Sequence, residues 1–171
     1  MNDTIETINC PACGKPMQKI FMLDAGFNLD VCVDGCGGIF FDGQELKYFD
    51  EEHENIDELK EILKNKTFEK TDESLTRVCP VCGNNMVKNY VSGKNAIQID
   101  ECYNCGAKFM DNDELIKMRE EYPTEKDRQQ AFLSDTYDEI GSKIDELEIQ
   151  NQINRSKRSA FLKLLDRFFL S

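Results

Sequence analysis

The sequence predicts a small α+β, metal-stabilised fold: two β-hairpin modules, each followed by a helix, and a long C-terminal α-helical segment. Three observations carry this expectation. Eight cysteines fall in two separated sets of four. The second set repeats the first at a nearly fixed offset. Beyond Pro123 the cysteines stop, and apolar residues recur at helical spacing.

The cysteines come first. They are Cys10, Cys13, Cys32 and Cys36, then Cys79, Cys82, Cys102 and Cys105. Cys79, Cys82 and Cys105 lie 69 positions after Cys10, Cys13 and Cys36 (79 − 10, 82 − 13 and 105 − 36). Pro11, Gly14 and Met17 recur as Pro80, Gly83 and Met86, and Phe40, Asp42, Glu45 and Leu46 as Phe109, Asp111, Glu114 and Leu115. Cys32 falls one residue out of step with Cys102. Two residues between thiols let both sulfurs reach one tetrahedral ion from a tight turn, and two such pairs complete a four-thiolate zinc site. The glycine after the second thiol permits the positive φ such a turn needs. The extra residue in Cys32-Val33-Asp34-Gly35-Cys36 is accommodated, on this reading, by an unusual conformation at Gly35. Eight cysteines in a reducing compartment point to metal rather than disulfides.

Hairpins join the pairs. Phe27, Leu29 and Val31 alternate, as do Ile97 and Ile99, which is the period of half-buried strands. Their partners are Ile20-Phe21-Met22-Leu23 and Val87 to Val91, with turns expected around Gly26 and at Ser92-Gly93-Lys94-Asn95.

The run from Asn9-Cys-Pro-Ala-Cys-Gly through Cys36-Gly-Gly-Ile-Phe-Phe-Asp-Gly-Gln-Glu-Leu46 resembles the prokaryotic zinc-ribbon domain named for transcription factor IIB. The second module departs more: Ala107-Lys108 stands where the first has Gly-Ile, and Met110 replaces the second aromatic. The resemblance implies zinc at Cys10, Cys13, Cys32 and Cys36. The internal repeat extends it to Cys79, Cys82, Cys102 and Cys105, giving tandem modules and two zinc ions. A ribbon does not fix a function.

The helices follow each ribbon. Asp42 and Asp111 are placed to cap them, with Glu45 and Glu114 completing a capping box. Residues 43–66 read as helical and acidic, with Leu46, Phe49, Ile56, Leu59, Ile62 and Leu63 as the apolar stripe. His53, among glutamates, reads as a solvated surface residue. Asn65 to Ser74 reads as a polar linker. Pro123 ends the second module's helix, and Thr124 to Asp127 opens another. From there Tyr137, Ile140, Ile144, Leu147, Asn151, Asn154, Arg158, Phe161, Leu165 and Phe168 form a heptad seam, coiled-coil-like but polar in the middle. That helix pairs mainly at its ends or breaks near Asn151. The domains expected are 1–66, the first ribbon and acidic helix; 67–75, a linker; 76–122, the second ribbon and helix; and 123–171, the C-terminal helical segment.

Charge narrows the partners. Hydrophobic residues make up 40% and charged residues 32%, the balance of a folded soluble chain. Net charge is −12, which argues against nucleic acid bound through phosphates. Arg155, Lys157, Arg158, Lys163 and Arg167 against Asp166 make the last stretch locally basic. Residues 155–171 are apolar around most of the helix. They call for intramolecular docking, self-association through 124–171, or peripheral contact with an anionic membrane or other partner. The acidic N-terminus lacks the order of a secretory signal, so a cytoplasmic location is expected. No spare ligand is left for chemistry, so the expectation is a non-enzymatic scaffold or adaptor that binds a protein. The alternatives are a transcription-related regulator contacting polymerase or nucleic acid, and a rubredoxin-like iron or thiol redox protein.

Overall fold

The computed structural model describes residues 6–91 and 97–169, with side chains as far as Arg158. The turn expected at Ser92 to Asn95 and the seam side chains Phe161, Leu165 and Phe168 lie outside the described residues. The chain divides into two compact units, residues 1–129 and 130–171. Both ribbons belong to the first.

The first module contains β1 (Gln18–Met22), β2 (Phe27–Val31) and β3 (Ile39–Phe41). The second contains β4 (Val87–Tyr90), β5 (Gln98–Glu101) and β6 (Lys108–Met110). β1 and β2 pair antiparallel from Met22↔Phe27 to Gln18↔Val31, and β4 and β5 from Tyr90↔Gln98 to Val87↔Glu101. These are the expected hairpins. The third strand of each module was not expected. It begins just after the second cysteine pair.

β3 and β6 pair with each other, so the modules share one six-stranded antiparallel sheet in the order β1-β2-β3-β6-β5-β4. Phe40 stands opposite Phe109, its own counterpart in the repeat; Ile39 faces Met110 and Phe41 faces Lys108. The order is a palindrome about that pair, as in a two-fold interface folded into one chain.

Alternation sorts the strand residues between two faces. On one face Leu29, Val31, Ile39, Phe41, Ile99 and Met110 form a core with Leu46, Phe49, Ile56, Leu59, Leu115 and Met118. On the other, Phe40 and Phe109 cluster with Met17, Met86, Ala107 and cysteines of both sets. One face carries helices and the other carries the cysteine groups.

The helical layer differs from the continuous 43–66 helix expected. A short 3-10 helix spans Glu45–Tyr48, and α1 spans Asp57–Leu63. Between them the backbone turns because its carbonyls are used elsewhere. The Arg119 guanidinium donates to the carbonyl oxygens of Phe49, Glu52 and Glu54, so these do not accept within a helix. Arg119 lies on α2 (Glu114–Glu121). The apolar stripe itself stands: Leu46, Phe49, Ile56 and Leu59 are buried, and Ile62 and Leu63 pack against them.

Half of each capping box forms. The backbone N–H of Asp42 donates to Glu45 at 2.8 Å, and that of Asp111 to Glu114 at 2.6 Å. The cap positions are Gln44 and Asp113, and neither makes a side-chain capping bond. The Asp111 carboxylate instead accepts from Arg77 at 3.1 and 3.3 Å. α3 (Glu125–Phe169) starts where Thr124 predicts, with the Asp127 N–H donating to the Thr124 hydroxyl at 3.2 Å. It runs unbroken through Asn151. Among the described residues, no helix is long and apolar enough to cross a membrane.

Candidate metal centres

Each cysteine pair sits on a tight turn with one repeated hydrogen-bond pattern. Gly14 donates to the Cys10 carbonyl at 2.9 Å, Gly83 to Cys79 at 2.9 Å, Gly37 to Cys32 at 3.0 Å and Gly106 to Cys102 at 2.7 Å. These four glycines have φ between 72° and 80°, as expected of the residue after each second thiol. A side chain there would be strained.

The turns bring the sulfurs together in two quartets: Cys10, Cys13, Cys32, Cys36 and Cys79, Cys82, Cys102, Cys105. Within each, all ligand atoms lie within 4.8 Å of one another. Cys10 and Cys36 are 3.4 Å apart, as are Cys13 and Cys32. Cys79 and Cys105 are 3.6 Å apart, and Cys82 and Cys102 3.4 Å. A disulfide needs about 2.05 Å, so these are not cystines. Four thiolates about 2.3 Å from a tetrahedral zinc stand about 3.8 Å from each other, close to what is found. The eight cysteines singled out in the sequence make up these two quartets, and both quartets fit zinc.

The electrostatics favour a cation. Burial pushes the Cys32 and Cys105 thiols up to about 12. Cys36 is drawn down to about 6 as the partner of Cys10, and Cys82 to about 6 by the Asn84 side chain. Four clustered thiols cannot all ionise unaided; a divalent cation reverses that balance. Backbone N–H groups already serve the charged form. Those of Ala12 and Cys13 face the Cys10 sulfur, and those of Val81 and Cys82 face Cys79. Such bonds tune a metal site from outside its ligand shell.

Gly35 has a different reason from the one expected. Its φ is not in the left-handed region. A Cβ there would lie 2.7 Å from the Cys32 sulfur and 2.8 Å from the Cys13 sulfur. The extra residue of the first module needs space against the metal site. The expected linker also lies against this ribbon. The Glu69 N–H donates to the Gly35 carbonyl at 3.1 Å, and Lys15 pairs with Glu69 at 2.6 Å.

Arg77 and Asp100, beside the second quartet's ribbon, were not singled out in the sequence. Arg77 is buried, pairs with Asp100 at 2.7 Å and Asp111 at 3.1 Å, and lies 4.6 Å from the centre of the Phe109 ring. The first module has Ile8 at the equivalent place. Cross-strand pairs Lys19–Asp30 and Lys88–Asp100, each 3.2 Å, do repeat. Opposite charges at matching places in two hairpins were the available signal. His53 is exposed beside Glu51, as expected.

Fold and site together define a double ribbon with two four-cysteine zinc sites. Residues 9–48 match the family described as transcription factor zinc-finger, the zinc ribbon named for transcription factor IIB. The second quartet, between residues 79 and 105, lies outside the matched stretch and rests on its own geometry. A search of curated proteins and of solved structures finds no match.

Proposed function

We propose that this protein is a non-enzymatic zinc-dependent scaffold or adaptor. Its ribbons present surfaces to a protein partner, and its C-terminal helix mediates assembly. One observation carries the reading: each quartet offers four thiolates to one ion. A zinc ion so held is coordinatively closed and stabilises structure, with no position for water or substrate. Thiols kept for metal suit a reducing cytoplasm.

Metal analysis of protein from its native host is expected to find two zinc ions per chain. A red, iron-loaded product would favour the rubredoxin-like alternative. Small modules of this kind draw their folding energy from the metal. Chelation is expected to collapse the β signal in circular dichroism and to abolish the thermal transition of the ribbons. An unchanged melting curve after complete zinc removal would sink the structural role.

The second reading is a transcription-related regulator, favoured by the match over residues 9–48. With a net charge of −12, it would contact polymerase or another protein rather than DNA. Filter binding at low salt distinguishes the readings, since tight and salt-sensitive DNA retention would reverse their order.

A further inference from the structure

Helix α3 carries a row of exposed apolar residues. Tyr137, Ile140, Ile144 and Leu147 are 72%, 50%, 50% and 64% exposed. They follow one another at steps of three and four, the spacing of a coiled-coil seam. The same steps continue in sequence through Asn151, Asn154, Arg158, Phe161, Leu165 and Phe168, along a helix that extends to Phe169.

This row matches itself in reverse. Turn a second copy end for end about the point between Gln152 and Ile153. Tyr137 then falls opposite Phe168, Ile140 opposite Leu165 and Ile144 opposite Phe161. Leu147 falls opposite Arg158, and Asn151 opposite Asn154. Each pair joins a residue that precedes a three-residue step to one that follows such a step. Antiparallel helices need that order, because reversal exchanges the two ends of every step. Large apolar residues meet at both ends, and the asparagines meet at the centre. A buried asparagine pair can fix the register of two helices.

Charge selects the same orientation. Residues 137–152 carry Asp138, Glu139, Asp145, Glu146 and Glu148 against Lys143. Residues 153–168 carry Arg155, Lys157, Arg158, Lys163 and Arg167 against Asp166. Antiparallel pairing lays the acidic half on the basic half twice. It also sets Glu148, beside the seam, near Arg155 of the second copy. Parallel pairing would lay each half on its like and bring the two Arg158 residues together.

We infer that the 137–168 row of α3 is the docking surface for a second copy of this chain, bound antiparallel in this register. The paired stretch of 32 residues (137 to 168) is about 48 Å long at about 1.5 Å per residue. The inference builds on the assembly role proposed above and is independent of whether the zinc sites are closed.

The test uses the full zinc-loaded chain in sedimentation equilibrium, with zinc measured on the same samples. The wild type is expected to be a dimer. Leu147→Asp is expected to be a monomer at the same concentration, with unchanged zinc content. Glu148→Arg and Arg155→Glu are each expected to weaken the dimer about tenfold, and the double swap to restore it. A benzophenone amino acid at position 137 is expected to cross-link to the peptide containing Phe168 of the other copy. A monomeric wild type overturns the inference, whether α3 docks on its own chain or on another partner. So do charge reversals that simply add, or cross-links from 137 to 137. A dimer short of zinc would leave the pairing standing and count against the metal reading. A monomer with two zinc ions would do the reverse.

Discussion

Gly35 shows how closely the first zinc centre tolerates the residue inserted into its second turn. A Cβ at 2.7 and 2.8 Å from two ligand sulfurs cannot be absorbed without moving one of them. Gly35→Ala is therefore expected to weaken zinc at Cys10, Cys13, Cys32 and Cys36 by about tenfold or more, the scale seen when a ligand's surroundings are disturbed. The other quartet should keep its affinity, so competition with a chromophoric chelator should resolve one weakened site and one normal site. Glu114 gives the residue-scale pH dependence. Burial raises its carboxyl from 4.5 to about 7, so the folded chain holds a proton that the unfolded chain releases. The stability from that proton is present below about 4.5 and lost as pH rises towards 7. Glu114→Gln keeps an oxygen for the Asp111 N–H and removes the titration. Denaturant unfolding of the zinc-loaded proteins at pH 5.5 and 8, both about values chosen to span that shift, should show the wild type losing on the order of 1 kcal/mol relative to the variant. An equal pH dependence in both would rule the idea out.

At the scale of elements, the two cysteine quartets, both hairpins and the start of α3 were legible in the sequence, because each has a strong local cause. Cysteine spacing sets the turns, period-two alternation marks Phe27–Val31, and Thr124 with Asp127 makes a cap. The third strands were not legible. Ile39–Phe41 and Lys108–Met110 are three residues long, too short for alternation to declare itself, and they exist by pairing with each other across the repeat. The broken 43–66 helix was hidden for a related reason, since Arg119 claims its carbonyls from more than 60 residues away. The β3–β6 junction couples the modules alongside these Arg119 contacts. Gly38 is placed so that even a methyl group would lie 2.2 Å from the Phe109 ring. Phe109→Ala removes the ring from the cluster that holds cysteines of both quartets, and from under Arg77. It is expected to cost about 3–5 kcal/mol, as large aromatic truncations in cores do. It should also weaken zinc retention at the first quartet, none of whose ligands has changed. Destabilisation confined to the second quartet would show that the junction does not couple the two.

For the whole molecule, the palindromic sheet determines what each half can do alone. Residues 1–75 hold one complete quartet and β1, β2 and β3, but β3 then has an open edge where β6 had been. Unpaired strand edges recruit further strands. The core on the helix side would also lose Ile99, Met110, Leu115 and Met118. The register shows what such an edge accepts. Phe40 pairs in the intact chain with the residue its own sequence becomes in the repeat, so a second copy of β3 can take the place of β6 with Phe40 opposite Phe40. The isolated zinc-loaded first half is therefore expected to sediment as a dimer. Phe40→Lys should turn it into a monomer with a lower melting temperature, because like charges would face each other at the centre of the pairing. In full-length protein that substitution faces Phe109 rather than itself, so it should destabilise the fold without changing the chain's oligomeric state. A first half that stays monomeric and melts as high as the intact ribbons would mean that the hairpin and its metal suffice, and that the shared strand pair adds no stability to either module.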